Sequence, residues 1–244
     1  MFGNDPIDAI ELPPLRAIAE TGEGDPAPTA GREEAQINQG ILQAFDRAVA
    51  VQAREDVTNS ILFAQLAADY KIDRRQQPAD WAKRFFEVLA TLGWVGQSLA
   101  NDSATLRGSP DWPSLLVNRL SVDAQPLART SLEAAMDLEP AGKAMRLWNA
   151  TIAGPAGSSF LVAPTLDSKG SITVALVMAS FPTDVEKPAF LGWELTYPTS
   201  FLMGTMELNE TIYAQVRQTV LTKLGERVRT LIAPVPLRET VIAA

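Results

Sequence analysis

The chain has 244 residues, of which 46% are hydrophobic and 20% charged, and its net charge at neutral pH is −8. It contains no cysteine and no histidine. This excludes disulfides, thiolate and imidazole metal sites, iron–sulfur clusters, and mechanisms that use a thiol nucleophile or an imidazole base. An acidic chain with a pI near 4.7 also argues against nucleic-acid binding.

No stretch of the sequence has the roughly eighteen uncharged apolar residues of a membrane-spanning helix. The N-terminal sequence MFGNDPIDAIELPPLRAIAE is acidic and lacks a basic region followed by an apolar core, so we expect no secretory signal peptide. These two features predict a cytoplasmic protein, or one exported without a cleavable signal.

Residues 1–30 are interpreted as a flexible acidic tail and residues 31–244 as a single domain. The tail carries six acidic residues against one arginine, and its TGEGDPAPTAG stretch has too few apolar side chains to compensate for the entropy of ordering. The segment before it contains Ile7, Ile10 and Leu12. It is either an arm lying on the domain or a docking peptide.

Two amphipathic helices are predicted in the first part of the domain. Between residues 32 and 53, apolar residues recur at a spacing of four, at Ile37, Ile41, Phe45 and Val49. A second stripe runs from Val57 to Tyr70, and the intervening REDVTNS sequence is expected to kink or separate the two helices.

A third helix is predicted in PADWAKRFFEVLATLGW. Pro78 suits the first helical turn and Asp80 complements the positive end of the helix dipole. Five apolar residues share one face and predict a core-facing helix: Trp81, Phe85, Val88, Leu89 and Leu92. Residues 101–114 are predicted to form a loop, followed by short helices at 114–120, 126–138 and 141–152.

The pattern changes from helices to strands near residue 155. GSSFLVAPTLDSKGSITVALVMASF has two apolar runs around Asp167–Gly170, which predicts a β-hairpin. AFLGWELTYPTSFLMGTMEL is interpreted as a second hairpin that turns near Pro198. Both faces of these strands are apolar, so helices are expected to cover the sheet on both sides.

A long C-terminal helix is predicted from Asn209, as N-cap, to Leu231, before Pro234 and Pro236. The predicted fold class is therefore α+β. A helical N-terminal half packs on an antiparallel four-stranded sheet of two hairpins, and the long C-terminal helix closes it. The N-terminal helices are placed on one face of the sheet and the C-terminal helix on the other.

The order of these elements, with ILFAQLAADYKIDRRQQPADWAKRFFEVLATLGW followed by two hairpins and a helix, resembles bacterial proteins of the Erwinia virulence factor family. The resemblance covers roughly residues 40–232. It implies a helix-flanked sheet, a role in host colonisation and an acyl group carried by a cysteine. This chain has no cysteine, so that covalent attachment does not carry over, and a lipid would have to bind non-covalently.

Candidate site residues fall in the strand region. Met178, Trp193, Met203 and Met206 are candidates for binding an apolar ligand between the layers of the fold. Glu194 and Glu207 are candidates for an acid–base pair across the second hairpin. No D-x-D-x-D spacing occurs and no nucleotide-binding motif is found, so no metal and no cofactor are predicted.

Three functions are compatible with this sequence. The first is a non-enzymatic bacterial interaction or virulence-type protein that binds an apolar ligand or a membrane surface. The second is a cytosolic scaffold or assembly subunit that docks to a protein partner through residues 1–30. The third is a carboxylate-based hydrolase that uses Glu194 and Glu207.

Overall fold

The computed structural model describes residues 6–14, 31–108, 110–154, 157–182 and 198–237. These residues form one eight-stranded mixed sheet with helices on both faces. In chain order the strands are β1 (Glu34–Asn38), β2 (Ile41–Phe45), β3 (Trp94–Thr105), β4 (Ala153–Gly154), β5 (Gly157–Asp167), β6 (Ile172–Phe181), β7 (Pro198–Leu208) and β8 (Ile232–Val235).

Seven α-helices occur within the described residues. They are α1 (Val51–Asp69), α2 (Pro78–Thr91), α3 (Trp112–Val117), α4 (Gln125–Met136), α5 (Lys143–Ile152), α6 (Glu210–Leu224) and α7 (Arg227–Thr230). A short 3₁₀ turn at Val122–Ala124 precedes α4.

The strands lie in the order β3, β7, β6, β5, β2, β1 and β8, with β4 paired to β5. Neighbours are antiparallel except β2 and β5, which are parallel. The predicted antiparallel sheet of four strands is therefore wrong. Four of the observed strands were not predicted: β1 and β2 lie where a helix was expected, β3 runs into the predicted 101–114 loop, and β8 follows the end of the predicted C-terminal helix.

The predicted helix over residues 32–53 is replaced by the β1–β2 hairpin. A spacing of four residues equals two repeats of a strand, so Ile41 and Phe45 share one face of β2 as they would share one face of a helix. Asn38 pairs with Ile41 across a two-residue turn, and Gln39 in that turn has φ 55°. Both faces of β2 are buried, so its apolar residues do not alternate with polar ones.

The second predicted hairpin is wrong for its described half, β7, while its other half, residues 189–197, lies outside the described residues. β7 pairs along its length with β6 on one side and with β3 on the other, which leaves neither of its edges for a partner strand turning at Pro198. The twelve residues of β3 extend into the predicted 101–114 loop and include its first five residues, 101–105. These residues are small and polar, but β7 supplies hydrogen-bonding partners along the whole strand.

The predicted C-terminal helix is divided. Asn209 caps α6, as predicted, by accepting a hydrogen bond from the Ile212 N–H at 3.0 Å. However, α6 ends at Leu224 because Gly225 adopts a positive φ of 52°. The chain then forms α7 and β8, and β8 pairs with β1 even though it contains Pro234. A proline is tolerated there because β8 is the last strand on that side.

Two apolar cores lie on opposite faces of the sheet. The first core is formed with α1, α2 and α6, and the second with α3, α4 and α5. The C-terminal helix α6 therefore lies on the same face as α1 and α2 and not on the opposite face, as had been predicted. Trp112 and Trp148 each contact the Phe160 ring in the second core.

Helix α1 runs without interruption through the REDVTNS sequence, contrary to the predicted kink. Its buried charged residues are paired. Arg54 forms an ion pair with Glu34 at 2.9 Å, and Asp56 accepts two hydrogen bonds from Arg217 on α6 at 2.8 and 2.6 Å. Such pairs allow a helix to be buried on nearly all sides although it carries charge.

The N-terminal residues 6–14 lie against the first core, where Ile7 and Ile10 are buried. The division of the chain into a tail of residues 1–30 and a domain of residues 31–244 stays a prediction.

Candidate functional site

A groove lies between α2 and the outer part of the sheet, and we call it the α2 groove. Its volume is about 740 Å³, within the range of roughly 300–1,000 Å³ of small-molecule sites. One wall is α2, and the floor is made by β3, β7 and β6. The residues of α2 that line it are Pro78, Ala79, Ala82, Lys83, Phe86, Glu87 and Ala90.

The wall of the groove is the second face of α2. Its first face is fully buried, as the sequence predicted, and the Trp81 and Phe85 rings stack there at 5.1 Å. The groove face presents alanines at positions 79, 82 and 90, with Phe86 as its one aromatic ring. Because alanine side chains are short, they do not fill the space between the helix and the strands beneath it.

The floor of the groove is apolar. Met178 from β6 and Leu202 and Met206 from β7 line it, together with Gly96 and Leu99 from β3. A Cβ atom at Gly96 would have no heavy atom within 4 Å, so this glycine leaves the floor open. The side chain of Leu99 is 57% exposed, and an apolar ligand in the groove would cover it.

The two ends of the groove differ in polarity. β3 begins two residues after Leu92 ends the last turn of α2, so helix and strand run in opposite directions. The start of α2 therefore lies above the later part of β3, where Asn101, Ser180 and Ser200 line the groove, and Lys83 is on the wall. Gly96 and Met206 form the apolar floor of the other end, with Glu87 on the wall of α2 between the two ends. This gradient suits a molecule with an apolar body and one polar end.

An ion pair fixes the edge strand β3 on the opposite face of the sheet. The Arg119 guanidinium donates to Asp102 at 3.1 and 2.7 Å and stacks on the Phe201 ring at 3.9 Å. The hydrogen bond from Arg119 lowers the pKa of the Asp102 carboxyl. The edge that forms part of the groove floor is thereby tied to the segment after α3.

The structure brings two of the four predicted ligand-binding residues together. Met178 and Met206 both line the α2 groove. Met203 packs against the second core, on the other face of the sheet, because residues 203 and 206 of one strand alternate in direction. Trp193 lies outside the described residues. A binding role for these residues stays a prediction.

The predicted carboxylate pair is not brought together by the described residues. Glu207 accepts a hydrogen bond from the Ser171 hydroxyl at 2.5 Å, and its backbone neighbours are Val95 and Thr173. Glu194 lies outside the described residues, so the pair stays a prediction. The residues in ranges 6–14, 31–108, 110–154, 157–182 and 198–237 contain no cluster of three acidic residues able to hold a metal ion.

The sequence predicted a helix with one apolar face directed to the core, and most of the groove was missed for this reason. The signal was present in Ala79, Ala82, Phe86 and Ala90, which recur on a second face of the same helix. The contribution of β3 had no comparable signal, since no strand was predicted there and its last residues were interpreted as part of a loop over 101–114. Among the described helices, none has the length and apolar character needed to cross a bilayer.

Comparisons with solved structures give weak likenesses, of which two are described. No family model matches the chain, and no curated protein matches it. The chain is similar to a structure of the Evf virulence factor, with 14% identity and a TM-score of 0.35 over 74% of this chain and 78% of that one. It is also similar to a delta-endotoxin, with 9% identity and a TM-score of 0.34 over 82% and 89%.

These likenesses confirm, as a weak resemblance, the similarity to Erwinia virulence factor proteins seen in the sequence. At this level they assign neither a family nor an activity to the chain.

Proposed function

We propose that this protein is a non-enzymatic, virulence-type interaction protein that takes a single-chain apolar ligand into the α2 groove. The observation that carries the proposal is the groove itself, an apolar floor of about 740 Å³ next to a wall of alanines. The likeness to a virulence factor and a delta-endotoxin gives the setting of the proposal and does not bear on the ligand.

The shape and polarity of the groove favour an amphiphile, such as a fatty acid, over a fully apolar molecule. Its hydrocarbon chain would cover Met206, Leu202 and Leu99, and each buried methylene group would contribute about 0.8 kcal/mol. Its polar end would lie near Lys83, Ser180 and Ser200, where hydroxyl groups and an ammonium group can bind an acid group. The bound ligand needs no covalent attachment.

The proposal is tested by native mass spectrometry of the purified full chain, followed by solvent extraction and titration with a fluorescent long-chain fatty acid. We expect a co-purifying single-chain amphiphile, or saturable uptake of one probe molecule per chain after extraction. Protein that carries no lipid and shows no saturable uptake would contradict the proposal. Flotation with vesicles in the absence of probe uptake would instead indicate binding to a membrane surface.

A further inference from the structure

The N-terminal residues 6–14 occupy a recess at the C-terminal ends of α1 and α6. Ile7 and Ile10 are buried there, with 1% and 8% of their surface exposed, and Leu12 packs beside them. The intervening residues Asp8 and Glu11 are exposed. The segment thus presents apolar side chains to the body in the pattern apolar-x-x-apolar-x-apolar.

Two basic residues hold the main chain of this segment. The Lys223 ammonium group donates to the carbonyl oxygens of Ile7 at 2.9 Å and Asp8 at 2.7 Å, and the Arg227 guanidinium donates to the carbonyl of Pro13 at 2.7 Å. Every peptide carries such carbonyl groups. The selectivity of these contacts therefore depends on the apolar recess and on charge.

The charges around the recess complement those of the segment. Lys71 lies 3.7 Å from Glu11, and the cations of Lys223 and Arg227 contact the main chain of the segment. The segment forms one local hydrogen bond, from the Ile10 N–H to the Ile7 carbonyl at 3.1 Å, and its described residues form no strand of the sheet. It is seated as a peptide ligand is seated on a receptor.

We propose that this recess is a peptide-binding site whose partner is an extended acidic segment of another protein, with the same apolar-x-x-apolar-x-apolar pattern. The chain's own residues 6–14 occupy the site and compete with that partner. Because they are tethered, their effective concentration at the site is high, and a free peptide binds the wild-type chain roughly 100-fold more weakly than a chain whose own segment is released.

The test uses the full-length chain and a fluorescein-labelled peptide with the sequence PIDAIELPP, measured by fluorescence anisotropy. Ile7→Ser/Ile10→Ser removes the apolar anchors of the chain's own segment and leaves the recess unchanged. We expect the peptide to bind this variant at least 10-fold more tightly than it binds the wild type. Adding Lys223→Ala and Arg227→Ala should reduce that binding at least 10-fold, whereas Arg229→Ala, an exposed neighbour, should not change it.

The acidic character of the partner is tested with a matched peptide in which Asp8→Asn and Glu11→Gln are made. We expect weaker binding than for PIDAIELPP and a smaller dependence on salt. A peptide of scrambled sequence should not bind. Equal binding of the charged and neutral peptides would overturn the requirement for an acidic partner.

Three further results would overturn the proposal. One is no binding of the peptide to a variant whose circular dichroism spectrum shows that it is folded. Another is peptide binding that is unchanged when Lys223 and Arg227 are replaced by alanine. The third is a concentration-dependent dimer that the peptide dissociates, since a second copy would then be the occupant. If the double variant does not fold, hydrogen exchange of residues 6–14 is measured in the wild type instead. Excess peptide should accelerate that exchange, and unchanged exchange would overturn the proposal.

Discussion

At the scale of single residues, the turn between β1 and β2 depends on a buried arginine. Arg74 is almost fully buried, and its guanidinium stacks on the Trp81 ring at 4.0 Å and binds Asp69 at 3.3 Å. Asp69 also accepts from the Trp81 ring N–H at 2.6 Å and from Gln39 at 2.9 Å. Burial lowers the pKa of Arg74. One ion pair thus joins the turn, α1 and α2.

Gly40 is required in this turn because of space. A Cβ atom at this position would lie 2.3 Å from Arg74 Nη1 and 2.8 Å from the Thr151 methyl group. Arg74 is held by Trp81 and Asp69 and cannot withdraw easily. We therefore expect Gly40→Ala to lower the free energy of unfolding by about 1–3 kcal/mol, measured by urea denaturation.

Gly96→Ala is the matched control for this prediction. The new Cβ atom would have no neighbour within 4 Å, and the residue has no positive φ. We expect its free energy of unfolding to equal or slightly exceed that of the wild type, since alanine restricts the unfolded chain more than glycine does. Equal stabilities of Gly40→Ala and Gly96→Ala would show that Arg74 does not restrict the turn.

At the scale of elements, the sequence predicted the helices and strands whose ends or faces are marked by nearby residues. Helix α2 begins at Pro78 and buries the expected face, the β5–β6 hairpin turns at Asp167–Gly170, and Asn209 caps α6. The missed elements are strands β1, β2, β3 and β8. Strand formation can depend on pairing with distant parts of the chain. For example, β3 pairs with β7, which lies about a hundred residues later.

The short helix α3 offers a test of a local signal at this scale. The Asp111 carboxylate accepts from the Ser114 N–H at 3.2 Å and caps the helix. Hydrogen bonds from the side chain and backbone of Ser114 lower the pKa of Asp111 in the folded chain. Because the folded pKa is lowered, the stabilisation is present above the unfolded value of about 3.9 and is lost as the pH falls below it.

We therefore expect Asp111→Ala to reduce the free energy of unfolding by about 1 kcal/mol at neutral pH. The difference from wild type should shrink below about pH 4. Asp111→Asn keeps a capping oxygen without a titrating group, so its stability should stay close to that of the wild type at neutral pH. Urea denaturation at several pH values measures both effects, and a difference that does not depend on pH would contradict the assigned role of the carboxylate.

At the scale of the whole molecule, the three-layer arrangement explains the α2 groove. The sheet is wider than the helices that cover its first face, and α2 lies over its outer strands β3, β7 and β6. The sequence predicted Met178 and Met206 as possible ligand contacts but placed Met203 and Trp193 with them. The strand period places Met203 and Met206 on opposite faces of β7, but both faces carry apolar residues, so the sequence did not show which face borders a groove.

The two proposed sites lie on different parts of this fold. The α2 groove is formed by α2 and the outer strands, whereas the recess for residues 6–14 lies at the ends of α1 and α6. The residues that line the α2 groove do not include those that hold residues 6–14. The peptide titration and the fatty-acid titration can therefore be performed on the same purified wild-type chain.

The most direct test of the account is a titration of the fluorescent long-chain fatty acid into Gly96→Phe and Ala100→Phe. The ring at position 96 enters the open floor of the groove, beside Met206 of the first core. A β-bulge between Gly96 and Ser98 shifts the alternation of β3, so Ala100 pairs with Met203 and the ring at position 100 points to the opposite face of the sheet. We predict that Gly96→Phe loses at least 10-fold in affinity for the probe and that Ala100→Phe binds as the wild type does. Equal affinities of the two folded variants would contradict binding in the α2 groove.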